Sequence, residues 1–322
     1  MRLLVLGGTQ FVGRAVTTAA LAAGHDVSLF HRGRTNAELF PEVEHVLGDR
    51  DGGLETLRGR DWDACVDVSG YLPRLVRDSS ELLRDAVEHL VFVSTISVFA
   101  DLALPRDEDG PLATLDDEAA EEMTGASYGG LKALCEQAVC DTLGERATVV
   151  RPGFVAGPHD HTGRFTWWVH RAARGGEMLL PESFARAFQA IDVRDVADFL
   201  LLAATSPLPG TFNATGPLPA VTMIDVIEAT AAAVGIEVQI TIVDDAFLSE
   251  RELGQSDLPL WVHDPAWSSW AEVDVTRAIA AGLHYRPLGE TVRAVLEHAV
   301  PVAGVGLEPE RERELLDAWQ GR

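Results

Sequence analysis

The sequence predicts an α/β fold built on a doubly wound parallel sheet. Short apolar runs alternate with helical patterns along the first half of the chain, and this alternation is typical of parallel sheets. The opening strand–glycine–helix–strand unit and a Tyr-x-x-x-Lys helix lie where such a sheet places its ligand sites. After Arg151 the pattern loosens and acquires Pro- and Gly-rich joints, which indicates a second, smaller region.

Each apolar run is four or five residues long, which suits a strand buried on both faces. Strands are predicted near 3–6, 27–30, 43–46, 64–68, 90–94 and 147–151. Between them, apolar residues at helical spacing predict helices near 12–23, 74–88 and 127–143. The acid-rich stretch from Arg106 to Glu122 is predicted to be a solvated loop that leads into the last of these helices.

The glycine-rich turn after the first strand predicts a dinucleotide site. A helix that ends at Gly24 and the strand at 27–30 follow it, completing a βαβ unit. In such a unit the turn lets the backbone approach a pyrophosphate, and the helix amino terminus supplies N–H donors. The predicted cofactor contacts in this turn are Gly7, Thr9, Gln10, Phe11, Val12 and Gly13.

Tyr128 and Lys132 form the candidate catalytic pair. Their four-residue spacing puts both side chains on one helix face, about one turn apart. An ammonium at that distance favours the phenolate, so the tyrosine can move a proton near neutral pH. The strand at 90–94 ends in hydroxyl residues, and Thr95, with Ser94 or Ser97, can hydrogen-bond a substrate oxygen there.

Taken together, these motifs resemble the extended short-chain dehydrogenases/reductases of the NAD-dependent epimerase/dehydratase family, in an atypical subgroup. The family's Gly-x-x-Gly-x-x-Gly turn has Gln10 at its middle position, and its catalytic Thr falls on Thr95, three residues before Val98. The segments 151–158 and 186–197 also match, so the resemblance covers about the first 215 residues well and the remainder loosely.

The resemblance implies a Rossmann dinucleotide-binding domain at 1–155, to whose sheet part of 185–215 returns. Most of 156–322 would form the smaller α/β substrate domain. It also implies a homodimer, catalytic roles for Thr95, Tyr128 and Lys132, and a second role for Lys132 on the nicotinamide ribose. Further cofactor contacts are implied at Asp49, Ser69, Gly70, Tyr71 and Ser94.

The loop after the second strand favours NADP, with NAD as the alternative. An NAD enzyme usually presents a carboxylate to the ribose there, whereas this chain has His31, Arg32 and Arg34. Guanidinium groups suit a 2′-phosphate because they offer planar, paired donors. The alternative interpretation is a pair of solvated surface arginines.

Fewer sequence features indicate which residues contact the substrate. The resemblance places Arg186 where many relatives hold a nucleotide-sugar diphosphate, and Phe154 where they carry Asn. Five of the seven tryptophans suit either stacking on a substrate or core packing: Trp167, Trp168, Trp261, Trp267 and Trp270. The predicted substrate contacts are Ser97, Phe154, Trp167 and Arg186. His159, Asp160 and His161 lack a recognisable third zinc ligand, so no metal is predicted.

Composition narrows the class of partner. A net charge of −24 opposes a nucleic-acid surface, and no apolar run has the length of a membrane span. The first strand begins at residue 2, which predicts no signal peptide and a cytoplasmic protein. Cys65, Cys135 and Cys140 lack metal spacing and are predicted to be reduced, buried thiols.

Three functions are consistent with these observations. The first is NADPH-linked reduction of a small molecule at a secondary alcohol or carbonyl carbon. A nucleotide-sugar epimerase that regenerates its cofactor is the second, since both share one catalytic core. The third is a non-catalytic, cofactor-sensing or RNA-associated protein, because the opening Gly-Gly-Thr-x-Phe-x-Gly-Arg resembles a chloroplast RNA-associated group.

Overall fold

A computed structural model describes residues 1–104, 106–118, 120–262, 269 and 272–322. The chain divides into two compact units. The first contains Met1–Val155, Val193–Thr215 and Glu272–His284, and the second contains the remaining segments. Within the first unit, the segment Glu272–His284 is the one that the sequence pattern does not predict.

The described residues form eleven strands: β1 Arg2–Leu6, β2 Asp26–His31, β3 Glu44–Leu47, β4 Trp62–Asp67, β5 Val87–Val93, β6 Ala147–Pro152, β7 Phe154–Ala156, β8 Gly176–Pro181, β9 Ala190–Asp192, β10 Gly210–Ala214 and β11 Val238–Val243. They also form ten α-helices: α1 Phe11–Ala22, α2 Pro73–Leu83, α3 Tyr128–Leu143, α4 Arg164–Ala173, α5 Val193–Thr205, α6 Met223–Val234, α7 Asp245–Ser249, α8 Thr276–Ala280, α9 Leu288–His298 and α10 Pro309–Gln320. None of the described helices has the length and apolarity that a bilayer crossing requires.

The first unit is built on a seven-stranded sheet in the order β10-β6-β5-β4-β1-β2-β3. Its strands pair in parallel throughout, and the order reverses between β1 and β4. Helix α1 packs against α5, and α2 packs against α3. The predicted doubly wound parallel sheet is therefore confirmed, and its switch point lies where ligands bind in such sheets.

The core under α2 and α3 is apolar and contains two of the three thiols. Cys65 on β4 and Cys135 on α3 are fully buried within it, and burial raises the pKa of the Cys135 thiol to about 12. Cys140 is exposed, so its predicted burial is wrong. Cys140 lies five positions after Cys135 on α3, and this spacing places it on another side of the helix.

Two other expectations need correction. The helix predicted at 74–88 ends at Leu83, because the β-rich run that begins at Val87 is the sheet strand β5. The acid-rich loop is not solvated throughout, since Glu108 is 7% exposed. Its Oε1 accepts a hydrogen bond from the Asn213 N–H at 2.9 Å, and Arg277 lies 3.5 Å from its Oε2.

The second unit pairs β8 with β11 in parallel and packs α6 against α4 and α9. Its carboxyl-terminal helix α10 is attached by a buried ion pair. Arg171 Nε lies 2.6 Å from Glu312 Oε2, and Glu312 Oε1 accepts from the Leu179 N–H at 3.1 Å. Because both charges are buried and hydrogen-bonded, this pair fixes how α10 lies on the unit.

Candidate active site

The turn between β1 and α1 has the geometry of a phosphate cradle. Gly7 and Gly8 adopt φ angles of +111° and +100°, which side chains disfavour. A Cβ on Gly13 would lie 2.6 Å from the Gly8 nitrogen, so only glycine lets α1 begin this close to the turn. The first N–H groups of α1 have no partner within the helix, and the turn therefore fits a pyrophosphate.

The non-glycine residues of the turn are tolerated for identifiable reasons. Gln10, at the middle motif position, has an extended backbone with φ −134° and ψ 136° and an exposed side chain, so glycine is not required there. Phe11 carries the strain instead, with a φ of +38°. Val12 is half-buried. Thr9 is buried and its hydroxyl donates to the Thr35 carbonyl at 2.8 Å.

The loop after β2 exposes both arginines, Arg32 and Arg34, while His31 is half-buried. Among the residues that the structure describes, neither guanidinium forms an ion pair. Asp49 lies half-buried after β3, and its Oδ1 accepts from the Asp51 N–H at 3.1 Å. This arrangement leaves the two cations available to an anionic group.

The carboxyl end of β4 supplies a tight turn beside β1. The Ser69 hydroxyl donates to the Leu6 carbonyl at 3.0 Å. A Cβ on Gly70 would lie 2.5 Å from the Phe92 ring, so the backbone can pass there only as glycine. Tyr71 follows with 46% of its surface exposed, which leaves its ring open to a ligand.

Lys132 lies at the centre of the site and is the only lysine of the 322-residue chain. It is 3% exposed, and its ammonium donates to the Gly70 carbonyl and, at 2.8 Å, to the Val93 carbonyl. Among the described residues, only these two carbonyls accept hydrogen bonds from the ammonium. Its third hydrogen is therefore left for a ligand. Burial lowers the pKa of Lys132 to about 8, while the Phe92 ring, with its centroid 4.2 Å from Nζ, favours the cation.

Tyr128, Thr95 and Ser97 are brought together by a close backbone contact. Tyr128 is the first residue of α3, and a Cβ on the next residue, Gly129, would lie 2.2 Å from the Ser97 carbonyl oxygen. The Thr95 hydroxyl donates to Ser97 Oγ at 3.2 Å and accepts from the Ser97 N–H at 3.1 Å. The start of α3 therefore lies against the hydroxyl-bearing turn that follows β5.

The Ser94 hydroxyl is the one buried polar group of this turn that lacks a partner among the described residues. Ser94 is 6% exposed and lies between Val93, which holds Lys132, and Thr95. A buried hydroxyl without a partner is costly. A buried hydroxyl without a partner, next to the Val93 carbonyl that holds Lys132, is a group to which a polar cofactor can hydrogen-bond. The residues present therefore fit a nicotinamide dinucleotide.

We expect Gly129→Ala to disrupt the site. Alanine normally stabilises a helix relative to glycine by about 1 kcal/mol, but here its methyl group would meet the Ser97 oxygen. The expected net loss is about 1–3 kcal/mol of unfolding free energy, measured by urea denaturation. Gly289→Ala is the matched control, because Gly289 is also the second residue of a helix and its Cβ would meet Arg293 Nη1 at an ordinary 3.6 Å. Equal stability changes in the two variants would contradict the packing argument.

Sequence reasoning missed a buried ion pair at the carboxyl end of β4. Arg50 donates to both carboxylate oxygens of Asp67 and to the Ser79 hydroxyl at 2.8 Å, and Asp67 Oδ1 also accepts from the Ser69 N–H at 3.0 Å. Asp67 is 2% exposed. The one sequence feature that could have indicated this pair is Asp67, an acid directly after the apolar run Ala64–Val66.

The predicted substrate residues fall in both units. In the first unit, Ser97 is half-buried and Phe154 is 7% exposed. In the second unit, Arg186 is exposed, whereas Trp167 is 7% exposed and packs edge-on against Trp168 with ring centroids 4.6 Å apart. Trp167 therefore serves the core of its unit. Trp267 and Trp270 lie outside the described residues.

Residues 75–214 match the sequence profile of the NAD dependent epimerase/dehydratase family. The matched segment begins after the glycine turn and contains Thr95, Tyr128 and Lys132. A curated relative, the chloroplast stem-loop binding protein of 41 kDa b from Arabidopsis thaliana, is 25% identical over 218 residues, which are 62% of this chain and 54% of the relative. The chain thus spans about half the length of that relative.

Solved structures share the fold over nearly the whole chain. UDP-glucuronic acid 4-epimerase from Bacillus cereus, in complex with NAD, has a TM-score of 0.67 at 14% identity, over 95% of this chain and 100% of that one. The human epimerase family protein SDR39U1 (isoform 2), with NADPH, has a TM-score of 0.62 at 23% identity, over 92% of this chain and 99% of that one. The chain is therefore similar to the NAD-dependent epimerase/dehydratase family over residues 75–214, and it shares its fold with these two solved structures.

Proposed function

We propose that the protein is an NADPH-linked reductase that acts on a carbonyl carbon of a small molecule. The observation that carries this proposal is Lys132, whose buried ammonium bridges the ends of β4 and β5 on the helix that begins with Tyr128. Arg32 and Arg34, exposed beside the cradle, support NADP rather than NAD. The solved human relative at 23% identity contains NADPH.

Each residue has a defined task in this proposal. NADPH, which the glycine turn, Arg32, Arg34 and Lys132 would hold, would supply the hydride for the carbonyl carbon. Tyr128 gives its phenolic proton to the carbonyl oxygen, and the hydroxyl of Thr95 fixes that oxygen. Lys132 stabilises the phenolate that remains, and its third ammonium hydrogen binds the nicotinamide ribose. The product is an alcohol, secondary from a ketone and primary from an aldehyde.

The rate of reduction is expected to fall as pH rises through about 8. Burial holds the pKa of Lys132 near that value, so the ammonium is charged below pH 8 and neutral above it. Without the charge, the phenolate of Tyr128 loses its stabilisation in the transition state. Because the chain has one lysine, NMR of isotope-labelled lysine titrates Lys132 directly. A Lys132 signal that titrates above pH 10, with activity falling near 8, would contradict this assignment.

The cofactor state of the purified protein tests the proposal. Denaturation releases any retained nucleotide for identification, and fluorescence titration of the apoprotein then compares NADPH with NADH. An empty site that binds NADPH much more tightly than NADH is the expected result, followed by NADPH consumption with a panel of ketones and aldehydes. Binding of neither dinucleotide would overturn the enzyme assignment.

A nucleotide-sugar epimerase is the second candidate, because UDP-glucuronic acid 4-epimerase shares the fold. Retained dinucleotide, together with conversion of a UDP-sugar without net cofactor consumption, would favour it over the reductase. The Arabidopsis relative is named as a stem-loop binding protein, which raises an RNA-associated role as a third candidate. A net charge of −24 opposes it, and filter binding with a stem-loop RNA at low salt decides.

A further inference from the structure

His31 stabilises the Arg32–Arg34 turn, which follows β2. Gly33, between Arg32 and Arg34, has a φ of +69° and donates its N–H to His31 Nδ1 at 3.0 Å. This hydrogen bond closes a two-residue turn and fixes the backbone from which both guanidinium groups extend. His31 must keep Nδ1 unprotonated to accept it.

A second histidine determines that protonation state. His45 Nε2 lies 3.0 Å from the Phe40 carbonyl, which can only accept, so Nε2 carries the hydrogen and His45 Nδ1 is an acceptor. His31 Nε2 lies 2.7 Å from that Nδ1 and must therefore donate, which leaves His31 Nδ1 free for Gly33. The chain Phe40–His45–His31–Gly33 thus has one consistent arrangement of hydrogens when both rings are neutral.

The same loop is also attached to the phosphate cradle. The Thr9 hydroxyl donates to the Thr35 carbonyl at 2.8 Å, and Asn36 Nδ2 donates to the Thr9 carbonyl at 2.9 Å. Arg34 therefore lies between two fixed points, one at Gly33 and one at Thr35. Because the turn is already ordered in the free protein, less conformational entropy is lost when a ligand binds to it.

We propose that His45 and His31 are specificity-determining positioning residues, which hold the Arg32–Arg34 turn ready for a phosphate on the adenosine 2′-oxygen. The inference rests on the proposed NADP preference and extends it to residues that need not touch the cofactor. The selectivity comes from the turn, because the pyrophosphate cradle and the adenine pocket are common to NAD and NADP.

Calorimetry with adenosine 2′,5′-bisphosphate and adenosine 5′-monophosphate tests the proposal without turnover. We expect His45→Leu to weaken the bisphosphate about tenfold, a change of about 1.4 kcal/mol, and to change the monophosphate less than twofold. His45→Gln, whose amide can donate to Phe40 and accept from His31, should restore most of the difference. His31→Asn, which can still accept from Gly33, should lose less than His31→Leu.

The outcomes separate this inference from the proposed function. Wild-type protein that binds both nucleotides equally would overturn the NADP preference, and the positioning role with it. A wild-type preference that survives in His45→Leu would overturn the positioning role alone. Equal weakening of both nucleotides in His45→Leu would show general damage to the loop and would likewise overturn the assigned selectivity.

Discussion

Tyr128→Phe is expected to lower the rate of carbonyl reduction by about 10²–10⁴-fold, because the ring remains while the proton donor is lost. The ketone or aldehyde that wild-type protein reduces fastest serves as substrate, and single-turnover hydride transfer is measured. Affinity for NADPH should change little, since the proposed dinucleotide contacts are the glycine turn, the Arg32–Arg34 turn and Lys132, and none of them is altered. A loss confined to the chemical step identifies a group that acts in the transition state.

Tyr285→Phe is the control for this prediction. It removes one phenolic hydroxyl from the second unit, beside Gly216, and should leave the single-turnover rate close to that of wild type. If Tyr128→Phe retains more than a tenth of the wild-type rate, Tyr128 is not the proton donor. In that case Tyr71, whose ring centroid lies 5.4 Å from Lys132 Nζ, is the next side chain to replace.

Asp67→Ala is expected to lower the free energy of unfolding by about 3–5 kcal/mol, because it leaves the Arg50 guanidinium buried without its counter-ion. Both side chains are largely buried, with 11% of Arg50 and 2% of Asp67 exposed. Urea denaturation gives the change from the midpoint when the slope is unchanged. The Ser69 N–H also loses its acceptor, so NADPH binding should weaken in the same variant.

Two further variants make the Asp67 prediction specific. Asp51→Ala removes an ion pair with Arg74 in which both side chains are well exposed, and should cost less than about 1 kcal/mol. The double variant Arg50→Met/Asp67→Leu removes both charges and should recover much of the lost stability. If Asp67→Ala costs no more than Asp51→Ala, the buried pair contributes little to stability.

Local pattern in the sequence was enough to predict the class of fold and six of the seven strands of the sheet, but not the strand β10 or the helix α5. The predicted strand near 90–94 and the helix near 127–143 lie within one to three residues of β5 and α3. The limit of that reasoning appears at 84–88, where an amphipathic pattern continues past Leu83 into the strand. Val87 belongs to the sheet because it pairs with Trp62 on β4. This pairing is a long-range interaction, which local periodicity cannot predict.

The α/β class, the glycine turn and the placement of Tyr128 and Lys132 on one helix follow from chain spacing and residue type, and were therefore predictable from the sequence. The surroundings of these features come from tertiary packing: the carbonyls of Gly70 and Val93 accept from Lys132, and Arg50 pairs with Asp67. Lys132 and Gly70 are 62 residues apart in the sequence. Glu108 accepts a hydrogen bond from Asn213, which is 105 residues away. Contacts between such distant residues depend on how strands and helices pack, and therefore leave no periodic signal in the sequence.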